Sequence, residues 1–368
     1  MSTDYVQICI PLFLLAIGGE AYFSWKKGMD LYRVNDTLNS LSCGILNQFV
    51  LMMTKGLSFF LYGYLVHKAG IIDFLSLSAE QQWAGGLALF FGVDLCYYWF
   101  HRSAHRINFG WATHVVHHQS EEYNLSTALR QGAFQELFSF PFYLPLAIIG
   151  FPLPWFLAMS GLNTTWQFWI HTRAIKKMPG WFEFVFNTPS HHRVHHGQNE
   201  KYLDRNHGGI FIFWDRLFGT FQQEEETVRY GITTGLNSWN PLWAQVHYFV
   251  FLWQMTVKVK GLKRKIAVWC MGPDWIPREW SGPSGHPKNV KSFCKYNPVI
   301  TISKRNQALM FFFGALCLAV LFLYASEDQN LRLLLSLSAT LLLWCCGKTL
   351  EHSVKRQGVL KKIFSGFR

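Results

Sequence analysis

The chain has 368 residues, of which 50% are hydrophobic and 17% aromatic, while only 15% carry a charge. Soluble domains carry about 25% charged residues, so this composition excludes an ordinary water-soluble globule and points to a multi-pass membrane protein. The net charge of +12 calls for an acidic surface nearby, which anionic lipid headgroups supply without any role for nucleic acid.

In chain order, the apolar runs predict membrane-associated helices at 5–24, 43–66, 84–100, 137–170, 308–325 and 331–347, several of them near the ~20 residues that cross a bilayer. Pro141, Pro145, Pro152 and Pro154 break the fourth run. Each proline removes a backbone donor and bends a helix, so 137–170 reads as a hairpin of short helices that enters and returns on one side. The first run has neither a basic segment before it nor a small-residue cleavage site after it, and it is expected to stay in place as a span rather than be cleaved.

The basic residues set the orientation. With Lys26 and Lys27 in the cytoplasm, "SEDQN" (326–330) falls outside, whereas the tail "KRQGVLKKIFSGFR" and the segment 257–306 stay inside. The expected organisation is a catalytic membrane domain over 1–235, a basic cytoplasmic or interfacial linker over 236–306, and a helical pair with a basic tail over 307–368. None of the eight cysteines shows CxxC spacing, and six of them lie in apolar runs, where a free thiol behaves as a small hydrophobe.

Eleven of the fifteen histidines fall between residues 101 and 207. "HRSAH" (101–105) is an i, i+4 pair, and "HVVHH" (114–118) and "HRVHH" (192–196) place histidines at i, i+3 and i+4, which a helix presents to one side. His171 follows the hairpin. In the orientation above, all of them gather on the cytoplasmic side. Eight or nine imidazoles exceed what one ion takes and suit two, although imidazole ligands alone leave Zn, Cu, Fe and Ni open. The first box lacks the glutamate of HExxH, since Arg102 stands there.

The order HxxxH, HxxHH, isolated His, HxxHH resembles the fatty acid hydroxylase and sterol desaturase superfamily of integral membrane di-iron oxygenases. "WATHVVHHQSEEYNLSTALRQ", "FWIHT", "NTPSHHRVHHGQN" and "GGIFIFWDRLFGTF" are similar to blocks of its ether-lipid-cleaving branch, the alkylglycerol monooxygenases. That resemblance covers about 95–235. It implies an all-α multi-pass bundle with a cytoplasmic histidine-rich di-metal cap. It also implies that His101, His105, His114, His117, His118, His171, His192, His195 and His196 bind two iron ions. His191, Glu121, Glu122, Asp204 and His207 are candidates for an extra ligand or for hydrogen bonds to the ligands, Asp215 is a further nearby acid, and Asn187 and Ser190 are candidate caps for the third box's helix. Trp99, Phe100, Trp111, Trp166 and Trp169 are candidates to line a lipid channel or to anchor at the interface.

Two positions depart from the family pattern: Arg106 stands where an acidic residue is expected, and His207 where a tyrosine is expected. The activity implied is insertion of oxygen at the carbon next to an ether bond, giving a hemiacetal that breaks down to a fatty aldehyde and a glycerol moiety. A sterol or fatty-acyl hydroxylase or desaturase is the alternative, and a non-catalytic metal carrier or sensor the distant one. No HPGG haem motif or GxGxxG is present, so electrons must come from an external donor, either tetrahydrobiopterin or a cytochrome b5 or ferredoxin chain. The other implied partners are O2 and a bilayer lipid, in the endoplasmic reticulum or a bacterial inner membrane.

Overall fold

The computed structural model describes residues 5–282, 295–325 and 328–351. His286, His352, Lys288, Lys291, the basic tail and part of "SEDQN" lie outside the described residues. Among the described residues fifteen α-helices follow in order: α1 (Tyr5–Lys27), α2 (Val34–Ala69), α3 (Ala79–Arg106), α4 (Asn108–His118), α5 (Leu125–Ala128), α6 (Gln135–Ser139), α7 (Leu144–Ile149), α8 (Leu153–Trp169), α9 (Gly180–Val185), α10 (Pro189–His195), α11 (Phe213–Leu217), α12 (Pro241–Lys258), α13 (Leu262–Cys270), α14 (Ile302–Tyr324) and α15 (Gln329–Glu351). Among the described residues there is no strand, only the isolated bridges Phe186 with Phe211 and Gly197 with Tyr230.

The chain divides into two compact units, one of residues 1–236 and 244–293, the other of residues 237–243 and 294–368. The second unit is built on the α14–α15 hairpin, where the Glu351 carboxylate accepts from Ser238 Oγ and from the Trp239 amide. Residues 244–293, expected as a linker, belong to the first unit. Tyr248, Leu252, Met255, Val259 and Val268 share a buried cluster with Trp111, Ala112 and Val115 of α4. Asn108, the first residue of α4, fixes this packing. Its amide donates to Met271 O, its side chain donates to Val268 O, and it accepts from Tyr248 Oη, at 2.8, 2.9 and 2.8 Å.

Three helices among the described residues are long and apolar enough to cross a membrane: Val34–Ala69, Ile302–Leu323 and Gln329–Glu351. The expected spans at 5–24 and 84–100 are also helical, but Glu20 interrupts the first and Asp94 the second. The run 137–170 is broken into α6, a 3-10 turn at Phe140–Tyr143, α7 and α8. Pro145 and Pro154 start α7 and α8, as a missing N–H allows. Helix α2 begins at Val34, nine residues before the apolar run, because its first turns are meant for protein rather than lipid: Asn35, Asp36, Asn39, Ser40 and Ser42 are all buried.

The acids within these helices are structural. Glu20 accepts from Tyr32 Oη, from Thr172 Oγ1 and from the Leu125 amide at 2.8 Å, tying α1 to the segments that flank two histidine sites. Fully buried Asp94 accepts from the amides of Ile210 and Phe211 at 2.6 and 3.1 Å, from Trp214 Nε1 at 3.0 Å and from Asn163 Nδ2 at 2.6 Å. Such concentrated hydrogen bonding offsets the burial of a carboxylate. Among the described residues the cysteines are free thiols, as expected.

Gly132 marks the closest approach to the back of α4, where an added Cβ would stand 1.9 Å from the Thr113 carbonyl oxygen. Neither backbone can yield without moving α4. Gly132→Ala is expected to cost about 1–3 kcal/mol, the range for an overpacked interior, read as a drop in thermal midpoint in detergent. Gly180→Ala, where a Cβ meets nothing within 4 Å, is expected to show no drop.

Candidate metal centre

The nine histidines of the boxes converge, but not on one point. His101, His105, His114, His118 and His195 form one buried group, and His117, His171, His192 and His196 a second; within each group one nitrogen per ring lies within 4.8 Å of all the others. Both HxxHH helices divide their histidines in the same way. In α4, His114 and His118 at i and i+4 enter the first group while His117 at i+3 enters the second. In the α10 segment, His192 and His196 enter the second group and His195 the first. At 100° per residue, i+4 returns to within 40° of i while i+3 falls on its other flank, so one turn of helix serves two centres. The groups abut at His118 and His196, whose rings stack 4.4 Å apart.

The ring nitrogens that carry hydrogen bonds face outward. Nδ1 of His101, His117, His171 and His195 donates to the carbonyls of His207, Arg130, Gln167 and Arg205 at 2.9, 2.9, 2.6 and 2.9 Å, and Nδ1 of His114 donates to Gln135 Oε1 at 2.8 Å. A carbonyl accepts only, so the proton is fixed on Nδ1 and the Nε2 lone pair faces inward. Inside, Nε2 of His101 and His114, of His118 and His114, of His117 and His171, and of His171 and His192 stand 3.1, 3.3, 3.1 and 3.1 Å apart. Two nitrogens bound to one ion at about 2.1 Å, 90–109° apart, would be separated by about 3.0–3.4 Å. Nε2 of His195 and His196 has no hydrogen-bond partner. The residues present therefore fit two metal ions held by neutral imidazole.

Burial keeps these imidazoles neutral. It pushes His114 and His171 down to about 4 and His195 to about 3, and it holds His101, His117, His118, His192 and His196 well below the ordinary imidazole range, with neighbouring histidines adding to the effect.

The other candidate residues separate clearly. Glu121 and Glu122 face Arg33 at 2.7 and 3.5 Å, and Glu122 also faces Arg173 at 3.1 Å, so their charge is matched by guanidinium groups. Asp204 does approach the site, with Oδ1 3.7 Å from His105 Nδ1 and Oδ2 3.5 Å from Arg106. His191 points away, toward Glu183 at 4.0 Å and Phe221, and belongs to neither group. His207 is fully buried beside the first group. Asn187 and Ser190 do not cap α10. Thr188 is the cap residue, without a side-chain cap bond, and Pro189 opens the helix. Asn187 Nδ2 instead donates to Gly208 O, and Ser190 Oγ to Glu183.

Two supporting residues, Arg130 and Gln135, escaped the sequence reading, and the candidate Asp215 joins them in holding the site. Arg130, fully buried, donates to Val116 O, Asn39 Oδ1 and Gln119 Oε1 while its carbonyl receives His117. Gln135 orients His114. Asp215, raised to about 6 by burial, accepts from the amides of His207 and Gly208 and from Thr220 Oγ1, each at 2.7 Å. The one available signal was a charge within otherwise uncharged sequence, as in "TALRQ". Of the aromatic candidates, Trp111 lines a small pocket with His105, His118, His195, Gln198 and Asp204. Trp166 is bonded to Asn187 O, and Trp99 is partly exposed against Phe218.

The depressed imidazoles fix the pH response of the metal-free fold. Unfolded histidines take protons near 6.5, whereas these remain neutral down to about 3–4. Their contribution is intact above 6.5 and is lost as pH falls toward 4. The thermal midpoint of the metal-free protein is expected to fall between pH 7 and 5 with a slope of several protons, each worth about 1.4 kcal/mol per pH unit. A midpoint flat over that range contradicts neutral burial.

Residues 86–220 match the family model described as fatty acid hydroxylase. Alkylglycerol monooxygenase of Danio rerio is 41% identical over 274 residues, which are 74% of this chain and 60% of that protein. The Caenorhabditis elegans protein of the same name is 32% identical over 350 residues, 88% of this chain and 65% of that protein. Lathosterol oxidase of Homo sapiens is 28% identical over 140 residues, 37% of this chain and 44% of that protein. The chain thus spans about 60% of the length of the first two vertebrate relatives it matches. No solved structure matches it. Both histidine groups, contributed by residues 101–196, lie inside the matched segment, so residues 86–220 form a fatty acid hydroxylase domain.

Proposed function

We propose that this protein is a membrane-bound, O2-dependent di-iron monooxygenase that oxidises the carbon next to the ether bond of alkylglycerol lipids. The observation that carries the reading is the pairing of two convergent all-imidazole groups with 40–41% identity to alkylglycerol monooxygenases of three vertebrates. His101, His105, His114, His118 and His195 would hold one iron ion and His117, His171, His192 and His196 the other. Two irons there would supply the O2-dependent oxidation of a C–H bond that no side chain can perform.

The chain's own groups set the conditions. The outward carbonyls fix the Nδ1 protons and aim the lone pairs. The burial of the histidines limits the water that can reach them. Asp204 places a carboxylate beside His105 at the pocket. In the overall change one oxygen atom enters the C–H bond, the other leaves as water, and an external donor supplies two electrons with two protons. The hemiacetal so formed then loses its alkoxy group to give a fatty aldehyde and the free glycerol hydroxyl.

Tetrahydrobiopterin is the proposed donor, with a cytochrome b5 or ferredoxin chain as the alternative. A sterol or fatty-acyl hydroxylase remains the second reading, favoured by the likeness to lathosterol oxidase and by the departures at Arg106 and His207. A metal carrier would need polar groups free to pass an ion. Glu20 and Asp94, the acids within the expected spans 5–24 and 84–100, are committed to three and four hydrogen bonds.

The anaerobically iron-loaded protein is expected to convert a 1-O-alkylglycerol to a fatty aldehyde only when O2 and tetrahydrobiopterin are both added, and His118→Ala is expected to lose at least a hundredfold in rate. Intact ether lipid under every donor, alongside a newly hydroxylated or desaturated sterol or acyl lipid, overturns the ether-lipid assignment.

We further propose that the histidine centre faces the cytoplasm of an endoplasmic reticulum or bacterial inner membrane. Helix α13, bonded to α4 through Asn108, carries Lys263, Arg264 and Lys265, and Lys26 and Lys27 close α1; both suit the cytoplasmic side. The sequons at Asn35 and Asn124 are weak reporters of side, because both asparagines are buried and Asn124 Nδ2 donates to Leu31 O. Exposed Cys270 at the end of α13 is a better one. In a variant that keeps this thiol alone, a membrane-impermeant maleimide should label it only after the cytoplasmic face is opened. Labelling of sealed cells from outside reverses the orientation.

A further inference from the structure

His207 stands where the family pattern expects a tyrosine, and the structure gives it a setting unlike that of a filler residue. Its ring is fully buried. Neither Nδ1 nor Nε2 has a hydrogen-bond partner; the Asp204 backbone acts on the ring without reaching hydrogen-bond geometry. A buried polar atom left unsatisfied costs about 1–3 kcal/mol, and a histidine kept only for its volume would find a partner or be replaced by phenylalanine.

The ring lies against the first histidine group. Its centroid is 5.5, 5.1 and 5.5 Å from those of His101, His105 and His195. Those three rings are themselves 5.3, 4.3 and 4.8 Å apart. Rings bound to one ion at about 2.1 Å through nitrogen have centroids roughly 4.5–6.4 Å apart as the angle between them opens from 90° to 180°, so His207 falls within reach of the same centre. It approaches from the side of His101, His105 and His195.

The backbone holds it there. The His207 amide donates to Asp215 Oδ1 at 2.7 Å and its carbonyl receives Nδ1 of His101 at 2.9 Å. The turn before it has Asp204 and Asn206 at φ of 58° and 56°, a conformation that persists where the surroundings over-determine it. Here buried Asn206 supplies that through bonds to His191 O, Gln222 O and the Gln222 amide at 3.0, 2.7 and 2.8 Å.

We propose that His207 is an additional ligand of the ion held by His101, His105, His114, His118 and His195, so that the two sites of this chain differ: one enclosed by six imidazoles, the other by four. The inference rests on the metal-binding reading above. Its nitrogens are not among the five that already lie within 4.8 Å of one another, so the ring closes onto the ion from the outer side. The filled site then resists release of its ion, and open positions remain at the four-imidazole site.

The test uses the full-length protein in detergent, loaded anaerobically with Co(II). The wild type is expected to bind two equivalents, one of them with the weak visible absorption of six-coordinate cobalt. In His207→Phe that absorption should intensify as one ion becomes five-coordinate, and one equivalent should pass to a competing chelator at least tenfold more readily. His191→Phe, which removes an equally buried histidine from outside both groups, should leave spectrum and chelator resistance unchanged. His207→Tyr, which restores the ring the family pattern expects, serves if the phenylalanine variant does not fold, and should show the same loosening of one ion. Unchanged spectra and chelator resistance in the folded His207 variant overturn the ligand role while leaving the two-metal reading intact. Failure of the wild type to bind two equivalents overturns both.

Discussion

The constraint on which the rest depends is the burial of a dense set of imidazoles that must stay neutral and aim their lone pairs at one another. No carboxylate is a member of either group, and Asp204 approaches only His105, so a stray proton is poorly compensated, and like-charged neighbours would repel within an environment that already disfavours charge. The protein's answer is geometric. Backbone carbonyls at 167, 130, 205 and 207 take the Nδ1 protons, and each of those carbonyls must be held to within fractions of an ångström.

Much of the remaining polar interior has that task. Arg130 is locked by three acceptors so that its own carbonyl can meet His117. Asp94 and Asp215 grip opposite ends of the 207–214 loop, whose first residue offers the carbonyl for His101. Asp36 accepts from Ser120 Oγ and from the Glu121 amide at 3.0 Å, anchoring the chain just after the second box to the start of α2. Asp36 belongs to the polar start of α2, where Asn35, Asn39, Ser40 and Ser42 are also buried, ahead of the apolar run. That helix is amphipathic along its length rather than around its circumference, with an apolar end suited to lipid and a polar end committed to protein.

The boxes were legible because ligand chemistry admits few residue types and helical spacing is rigid, so one histidine pair at i, i+4 and two runs at i, i+3 and i+4 already implied convergence. Their division was not. A helical face is a coarse notion, and only the packing of α4 against α3 and α10 decides which flank meets which partner. The early start of α2 was hidden because hydropathy averages cannot separate a polar turn buried in protein from one exposed to water. Asn108 made a packed subdomain of what composition presented as a basic linker, since long basic side chains keep their heads in solvent while the residues between them pack. Asn187 failed as a cap because a nearby carbonyl, Gly208 O, competed for the same amide; such competition is tertiary and leaves no mark on local sequence. Arg130 and Gln135 were missed for the same reason.

The alternation of the two HxxHH segments has one further consequence. Since α4 and the α10 segment each send two histidines to one centre and one to the other, neither centre can relax without turning a helix that the other also uses. If both groups hold ions, occupancy would be a joint property: the first ion to arrive would organise half of the second nest, and the departure of either would loosen both. Oxidative damage to a single box histidine would then discharge the whole binuclear unit. For the same reason an insertion or deletion of one residue inside either box, a rotation of 100°, exchanges the flanks and scrambles both centres at once, which makes these two short segments the least extensible part of the chain.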